Sequence, residues 1–468
     1  MSMVSYKINR VLLLSLMLML HANSFAQSSD KNYVQTKTFL DESGSAFMRH
    51  IDYYDELGFV SETVDVGCNT SETPIAARTE YNVRLKPLRQ WLPVPSAGLD
   101  YLGNVNSLAL STYDTGLPYS ENEYDDFQNL KRNWKPGDAW EERPVTLTRG
   151  VVPSGVVKRY SVGSDGSLQV NGTYPYGLLM SITTTDEDGR SMTVYADMHE
   201  NTILERRGTG MDATDTYFVY DNYGHLRYVL PPMCQQCGTS ELSKYWYKYT
   251  YDDRGRCTEK QLPGCEPVRY WYDAASRIQS EQDGHLRSQS LYRNYGYDGI
   301  GRLTLQTIGP AHGDAGSTNA VATEVRNFYD NYSCCQELAY LIPTWSDSIN
   351  TFNQSTSVTK GRLTATLCYT SNNYKYLEMY RYDAAGRVCY KLIAYADKWM
   401  KTVHAAYNFT GDVTSTEERV YTYVNGGIAF LTGRRTINTY HPGTRLLSMT
   451  AVTHTDRSEE HTSELQSR

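Results

Sequence analysis

The chain has 468 residues, enough for two or three ordinary domains, and 40 of them are Tyr against 10 Phe and 7 Trp. Tyr is a strand former with an apolar ring and a polar tip, so this composition favours β-sheets whose faces are only partly dry. A formal net charge of −8, with both signs interspersed and no Lys/Arg run, argues against a nucleic-acid partner.

The chain opens on a segment that reads as an address. Lys7 and Arg10 precede the apolar run Val11 to Leu20, and Ser24-Phe25-Ala26 supplies small residues at signal-peptidase spacing. The run falls short of the roughly eighteen residues that cross a bilayer, and no later segment could cross one. Residues 1–26 are therefore expected to be a signal peptide, with the mature chain starting near Gln27 in the periplasm, on the outer surface or outside the cell.

Next comes a β-rich stretch to about residue 210, with turn signals at Tyr54-Asp55-Glu56-Leu57-Gly58 and Asp186-Glu187-Asp188-Gly189-Arg190. Gly163-Ser164-Asp165-Gly166-Ser167 lies between two strand-like runs and reads as a hairpin turn. From residue 211 to about 456 one phrase recurs: Tyr251-Asp252-Asp253-Arg254-Gly255-Arg256, Tyr297-Asp298-Gly299-Ile300-Gly301-Arg302 and Tyr382-Asp383-Ala384-Ala385-Gly386-Arg387. Worn copies start at Tyr220, Tyr272 and Tyr440. A recurring unit of this size means one supersecondary element used many times, so the function belongs to the stack.

The phrase has a turn chemistry. Asp252, Asp298 and Asp383 can accept hydrogen bonds from amides two or three residues on, while Gly255, Gly301 and Gly386 supply the positive φ of a type I turn plus bulge. Arg256, Arg302 and Arg387 then begin the return strand, where each guanidinium can lie on a neighbouring Tyr or pair with a turn Asp. Ahead of the first phrase, Tyr245, Tyr247, Tyr249 and Tyr251 alternate with Trp246, Lys248 and Thr250, which places the rings on one strand face. Exposed in a groove, Tyr247, Tyr249 and Tyr251 would stack on sugar rings; packed, they would build a wall.

Catalytic patterns are absent: there is no Gly-x-Ser-x-Gly elbow, phosphate-binding glycine loop or His-Glu-x-x-His helix. The pairs Glu187/Asp188 and Asp252/Asp253 sit at repeated turns and read as caps. Cys234-Gln235-Gln236-Cys237 with Cys257 and Cys265 lacks the second close pair of a four-thiolate zinc site. Nine cysteines in an exported chain leave at least one unpaired. No catalytic, metal-binding or cofactor residue is therefore assigned.

Tyr-Asp-x-x-Gly-Arg followed by an apolar residue, as in Tyr297 to Leu303 and Tyr382 to Val388, resembles the repeat of the YD-repeat or RHS (rearrangement hot spot) proteins. The earlier half is similar to the region of unknown function that opens many secreted RHS proteins of Gram-negative bacteria. There the likeness rests on Tyr33 to Asp41, Tyr53 to Gly58, Trp91 to Val94 and Tyr217 to Pro232. The resemblance implies an all-β strip of antiparallel hairpins that forms part of a shell wall, incomplete here and open at its carboxy end. It implies as partner a carboxy-terminal core and cargo domain of the same polypeptide, neither of which lies in this sequence. The expected role is a non-catalytic shell segment of a secreted polymorphic toxin or cell-surface protein acting between bacteria. The alternative is a cell-surface adhesin that binds glycans. Residues 457–468 resemble translated sequencing adapter and are expected to be an artefactual tail.

Overall fold

A computed structural model describes residues 30–456 except positions 41, 42, 46, 70, 72, 238, 317, 355–357, 370–374, 397, 425 and 442–445, together with the backbone of Glu460–Leu465. The expected signal peptide and the Pro442 to Arg445 portion of the last worn copy lie outside the described residues. The chain is nearly all antiparallel β, and it divides into two compact units: residues 1–144 with 440–446, and residues 145–439 with 447–468.

In the first unit the strands Asn32–Phe39, Phe47–Tyr54, Val60–Val66 and Ile75–Tyr81 pair in succession. Pro87–Trp91, Tyr119–Tyr124 and Leu130–Trp134 continue the pairing. Alternate positions on these strands supply the core residues Ile51, Tyr53, Val64, Ala76 and Trp91, which the helix Val105–Thr112 covers with Val105 and Ala109. Glu62 is also buried. Its carboxylate accepts the amides of Leu102 (2.5 Å) and Gly103 (3.0 Å), tying the loop before the helix to the sheet, and burial pushes its pKa up.

The second unit is a meander in which each strand pairs with the next, because a short corner can return the chain only to its neighbour. It runs from Val145–Val151 beside Met180–Thr185 through Tyr247–Tyr251, Cys257–Gln261, Tyr292–Tyr297 and Lys375–Tyr382 to Val413–Val424 beside Gly427–Tyr440. A separate hairpin, Lys158–Val162 with Leu168–Thr173, turns at Gly163 to Ser167 and lies over the meander. It packs Tyr160 and Val162 against a core that contains Tyr217, Val219 and Tyr228. Glu460–Leu465 runs antiparallel beside Leu447–Asp456.

Helices are the part the all-β reading did not locate. Between Asp330 and Gly361 the chain leaves the meander and forms the helices Cys335–Leu341 and Ser346–Asn350, with 3-10 turns at Pro343–Trp345 and Thr351–Gln354. Cys335, Leu338, Ala339 and Ile342 fall at i, i+3, i+4 and i+7, and all four are buried. With Trp345, Ile349 and Phe352 they cover one face of the following strands, on Ala365, Leu367, Leu377, Met379, Leu392 and Ala394. The Trp345 indole N–H donates to the Ala396 carbonyl at 2.7 Å, and the Tyr332 hydroxyl to the Tyr380 carbonyl at 2.7 Å. Trp345 is fully buried. Trp345→Ala should therefore cost about 3–5 kcal/mol, read as a lowered midpoint of urea unfolding; an unchanged midpoint would mean the helices do not seal this face.

Candidate functional site

A strand that reverses direction leaves backbone amides without ladder partners, and these must find acceptors. The corners at Asp55, Asn82, Asp125, Gly163, Asp186, Asp197, Asp221, Asp252, Asp273, Asp298, Asp383 and Asn408 share one solution. The first residue donates to the carbonyl four residues on at 2.8–3.0 Å, and the amide three residues on donates back at 2.9–3.1 Å. This is a type I turn closed by a bulge. The side chain completes it: Asp252 Oδ1 accepts the amides of Arg254 (2.9 Å) and Arg256 (3.0 Å), Asp298 Oδ1 those of Ile300 (3.1 Å) and Arg302 (2.9 Å), and Asp383 Oδ1 that of Arg387 (2.9 Å). The fourth position needs positive φ, and Gly255, Gly301 and Gly386 have φ of 75°, 91° and 85°.

The second carboxylate oxygen holds the arginine. Nε of Arg256, Arg277, Arg302 and Arg387 donates to Oδ2 of Asp252, Asp273, Asp298 and Asp383 at 2.6–2.7 Å. Thus fixed, each guanidinium lies on the tyrosine of the next repeat. Arg256 is 4.7 Å from the Tyr272 ring centre, Arg277 4.6 Å from Tyr297, Arg302 4.3 Å from Tyr329 and Arg387 4.7 Å from Tyr407. The covered tyrosine reaches back. Its hydroxyl donates to the carbonyl just after the preceding arginine: Tyr272 to Cys257 (2.6 Å), Tyr297 to Ile278 (2.7 Å), Tyr329 to Leu303 (2.9 Å) and Tyr407 to Val388 (2.8 Å). Every residue named in the motif therefore serves its own corner or the bond to its neighbour.

The worn copies keep the geometry with other chemistry. His225 stacks on Tyr251 at 4.9 Å, and Phe59 packs on Tyr81 at 5.3 Å. Ser276, Leu85, Gln128 and Glu200 adopt the positive φ that Gly has elsewhere. Corners at Asn82, Asp125, Asp197 and Asn408 escape a search for Tyr-Asp-x-x-Gly-Arg; Tyr followed by Asp or Asn, then an apolar residue six positions after the Tyr, finds Tyr81, Tyr124 and Tyr407. Among the described residues corners of this type occur from Asp55 onward, on both sides of residue 211, where the repeats were expected to begin.

One repeat is split. Tyr329-Asp330 and Gly361-Arg362-Leu363 form a single corner, with the helical segment inserted between Asp and Gly. The Asp330 amide donates to the Arg362 carbonyl at 3.0 Å, and the Gly361 amide donates to Asp330 Oδ1 at 2.6 Å. Arg302 reaches over to pair with Asp330 as well (2.6 Å), which draws that carboxyl down to about 2. Arg362 covers Tyr382 at 5.3 Å, and the Tyr382 hydroxyl donates to the Leu363 carbonyl at 2.6 Å.

The tyrosine row has a different disposition from the expected flat face. The strand begins at Tyr247, and a register shift between Thr250 and Tyr251 interrupts the alternation. Tyr245 and Trp246 precede the strand and pack on the core around Tyr228. Tyr247, Tyr249 and Tyr251 are all half-buried, and Tyr251 lies against His225 while its hydroxyl donates to the Leu226 carbonyl (2.9 Å). Of the carboxylate pairs, Asp252 is committed to its turn, Asp253 is exposed, and exposed Asp188 pairs with Arg190 at 3.2 Å. Cys234 belongs to the short helix Met233–Gln236 with Cys237 at its end, whereas Cys257 lies on a strand and Cys265 is exposed.

These corners define a hairpin-repeat β scaffold. Residues 27–149 match the family model described as a domain of unknown function, DUF6443. None of the curated proteins matches. Among solved structures, the chain is similar to one titled "Crystal Structure of TcdB2-TccC3", at 12% identity and a TM-score of 0.46 over 92% of this chain and 22% of that one. It is also similar to the TcdB2-TccC3-Cdc42 crystal structure (12%, 0.47, 97% and 23%) and to a Photorhabdus luminescens Tc holotoxin pore carrying a TccC3 variant (13%, 0.47, 92% and 22%). The chain spans less than a quarter of each of those chains.

Two outcomes follow from the corner. A Cβ at Gly386 would collide with the Arg362 guanidinium, one at Gly255 would come 2.9 Å from His225 Nε2, and one at Gly301 would clear Arg277 at 3.5 Å. Gly→Val at each should destabilise by about 1–3 kcal/mol through strained φ, and displacement of the cover over Tyr382 should make Gly386→Val the costliest; denaturant midpoints of the three variants test the order. The corner carboxyls set the acid limit. Asp252 is held below its usual pKa chiefly by the Arg256 side chain, and Asp273 and Asp298 chiefly by the amides of Arg277 and Arg302. At Asp383 burial works the other way, but Arg387 prevails. Depressed folded pKa values mean that the folded chain binds fewer protons than the unfolded one, so stability is full above the ordinary 3.8 and falls as pH drops through the lowered folded values, which for Asp330 lie at about 2. Thermal midpoints measured across that window should fall steeply, and less steeply in an Asp298→Asn/Asp383→Asn variant.

Proposed function

We propose that this chain is a wall segment of an RHS-type encapsulating shell, belonging to a secreted polymorphic toxin or cell-surface protein that acts between bacteria, and that it performs no catalysis itself. The observation that carries this reading is the reciprocal bond between successive corners. From Tyr251 to Tyr407, Asp, Arg and Tyr are used on the turn and on the neighbouring repeat, which is the economy of a scaffold. The DUF6443 match and the Tyr-Asp-x-x-Gly-Arg phrase support the same assignment. Its partner on this reading is the remainder of the same polypeptide, a core segment and an enclosed cargo domain. Export would follow from the signal-like residues 1–26.

The test is to sequence the genomic locus past the Asp456 codon and express the full product. The expected frame continues through more corners into a core segment and a terminal domain that resists protease only while the repeats are intact. A genuine stop at Arg468 would overturn the encapsulation reading and leave a surface adhesin as the better account.

A further inference from the structure

In the second unit the tyrosine bond is broken at one place. Tyr220 stands at the start of the Asp221 corner, where Tyr251, Tyr272, Tyr297, Tyr329, Tyr382 and Tyr407 stand in theirs, yet its hydroxyl has no hydrogen-bond partner among the described residues. The cause lies one corner earlier. Asn201 occupies the position of the covering arginine, and its short side chain turns back to donate to Asp197 Oδ2 at 3.1 Å. Among the described residues no guanidinium lies over Tyr220, whose ring packs on the core instead.

The gap is a cleft of about 580 Å³ between the overlying hairpin and the Asp197 and Asp221 corners. Tyr160, Tyr174 and Tyr220 are half-buried in its wall, and Tyr223, His199 and Asn222 are exposed at its rim. The Tyr160 hydroxyl is anchored on Gln235 Oε1 at 3.1 Å; that of Tyr174, like that of Tyr220, bonds to no described residue. The lining itself has no Lys or Arg, and the nearby Arg159 guanidinium is engaged over the Tyr174 ring at 5.9 Å. Its carboxylates are already satisfied, Asp197 by the amides of His199 (2.9 Å) and Asn201 (3.0 Å) and the Asn201 side chain, Asp221 by the amides of Tyr223 (3.0 Å) and His225 (2.9 Å) and by Arg227 (3.4 Å). What remains is aromatic surface with two unused phenols and an amide. That combination suits a ligand with apolar C–H faces and many neutral hydroxyls, in a volume ordinary for a small-molecule site.

We infer that this cleft binds a neutral saccharide of one or two pyranose rings, stacked on the tyrosine rings and hydrogen-bonded to the Tyr174 and Tyr220 hydroxyls. The site is independent of the wall reading, and it is not at Tyr247, Tyr249 and Tyr251. Saturation-transfer NMR on the full chain with cellobiose, lactose and diacetylchitobiose tests it. At least one should receive saturation at millimolar concentration, and Tyr174→Phe and Tyr220→Phe should each weaken binding by about threefold to tenfold, the effect of one lost hydrogen bond. Both variants keep the ring, and an unchanged circular dichroism spectrum and thermal midpoint confirm the fold. The inference is overturned if none of the three sugars binds, if binding survives both Phe variants, or if Tyr247→Ala abolishes it instead. Preferential binding of spermidine or inorganic sulfate would overturn it as well.

Discussion

The structure depends on a guanidinium held in two places at once. An exposed ion pair is ordinarily worth little, because two long side chains lose their freedom to meet. Here the Asp is already immobilised by the amides of its own turn, so the Arg meets a fixed fork, and its planar face is left free to cover the next tyrosine. Lys has a charge but no plane, which explains why the best copies carry Arg. The tyrosine hydroxyl returns the bond to the carbonyl beside the same Arg, so each corner positions its successor.

Cohesion of this kind is local. In the second unit a corner touches mainly the one before and the one after it, so a defect stays where it occurs and need not propagate. Asn201 is such a defect, and its consequence is a single open cleft with the ladder intact again at Tyr251. The split corner at Asp330 is another, bridged by Arg302 from the preceding repeat. The meander tolerates both because neither alters the strand pairing on which it rests.

Much of this was legible in the sequence. The positive φ at Gly255, Gly301 and Gly386 follows from turn chemistry, and the hairpin around Gly163 to Ser167 from its flanking strands. The all-β class follows from the tyrosines and their alternation. What was illegible has physical causes. Asn82, Asp125 and Asp197 corners hide because Leu85, Gln128 and Glu200 accept the left-handed conformation without glycine. The expected row of four rings fails at both ends, because the strand begins only at Tyr247 and a bulge at the corner shifts the register just where Tyr251 stands. Tyr220 is invisible as a site because its own repeat is normal; the anomaly is in Asn201, and only the stacking of consecutive corners brings the two together. The helical spacing of Cys335, Leu338, Ala339 and Ile342 went unread under the all-β expectation, and the split between Asp330 and Gly361 concealed that this segment interrupts a repeat.

That split has a wider meaning. The two chain ends at Asp330 and Gly361 are clamped by one backbone bond of the ordinary corner, from the Asp330 amide to the Arg362 carbonyl, and by the Gly361 amide on Asp330 Oδ1, with the whole helical segment between them. Lengthening a closed loop adds entropy cost only logarithmically, so the Asp-to-Gly interval is a graft point at which whole modules can be gained, lost or exchanged without re-registering a strand. A chain built from such corners can change what it carries between Asp and Gly while its strand pairing stays as it is.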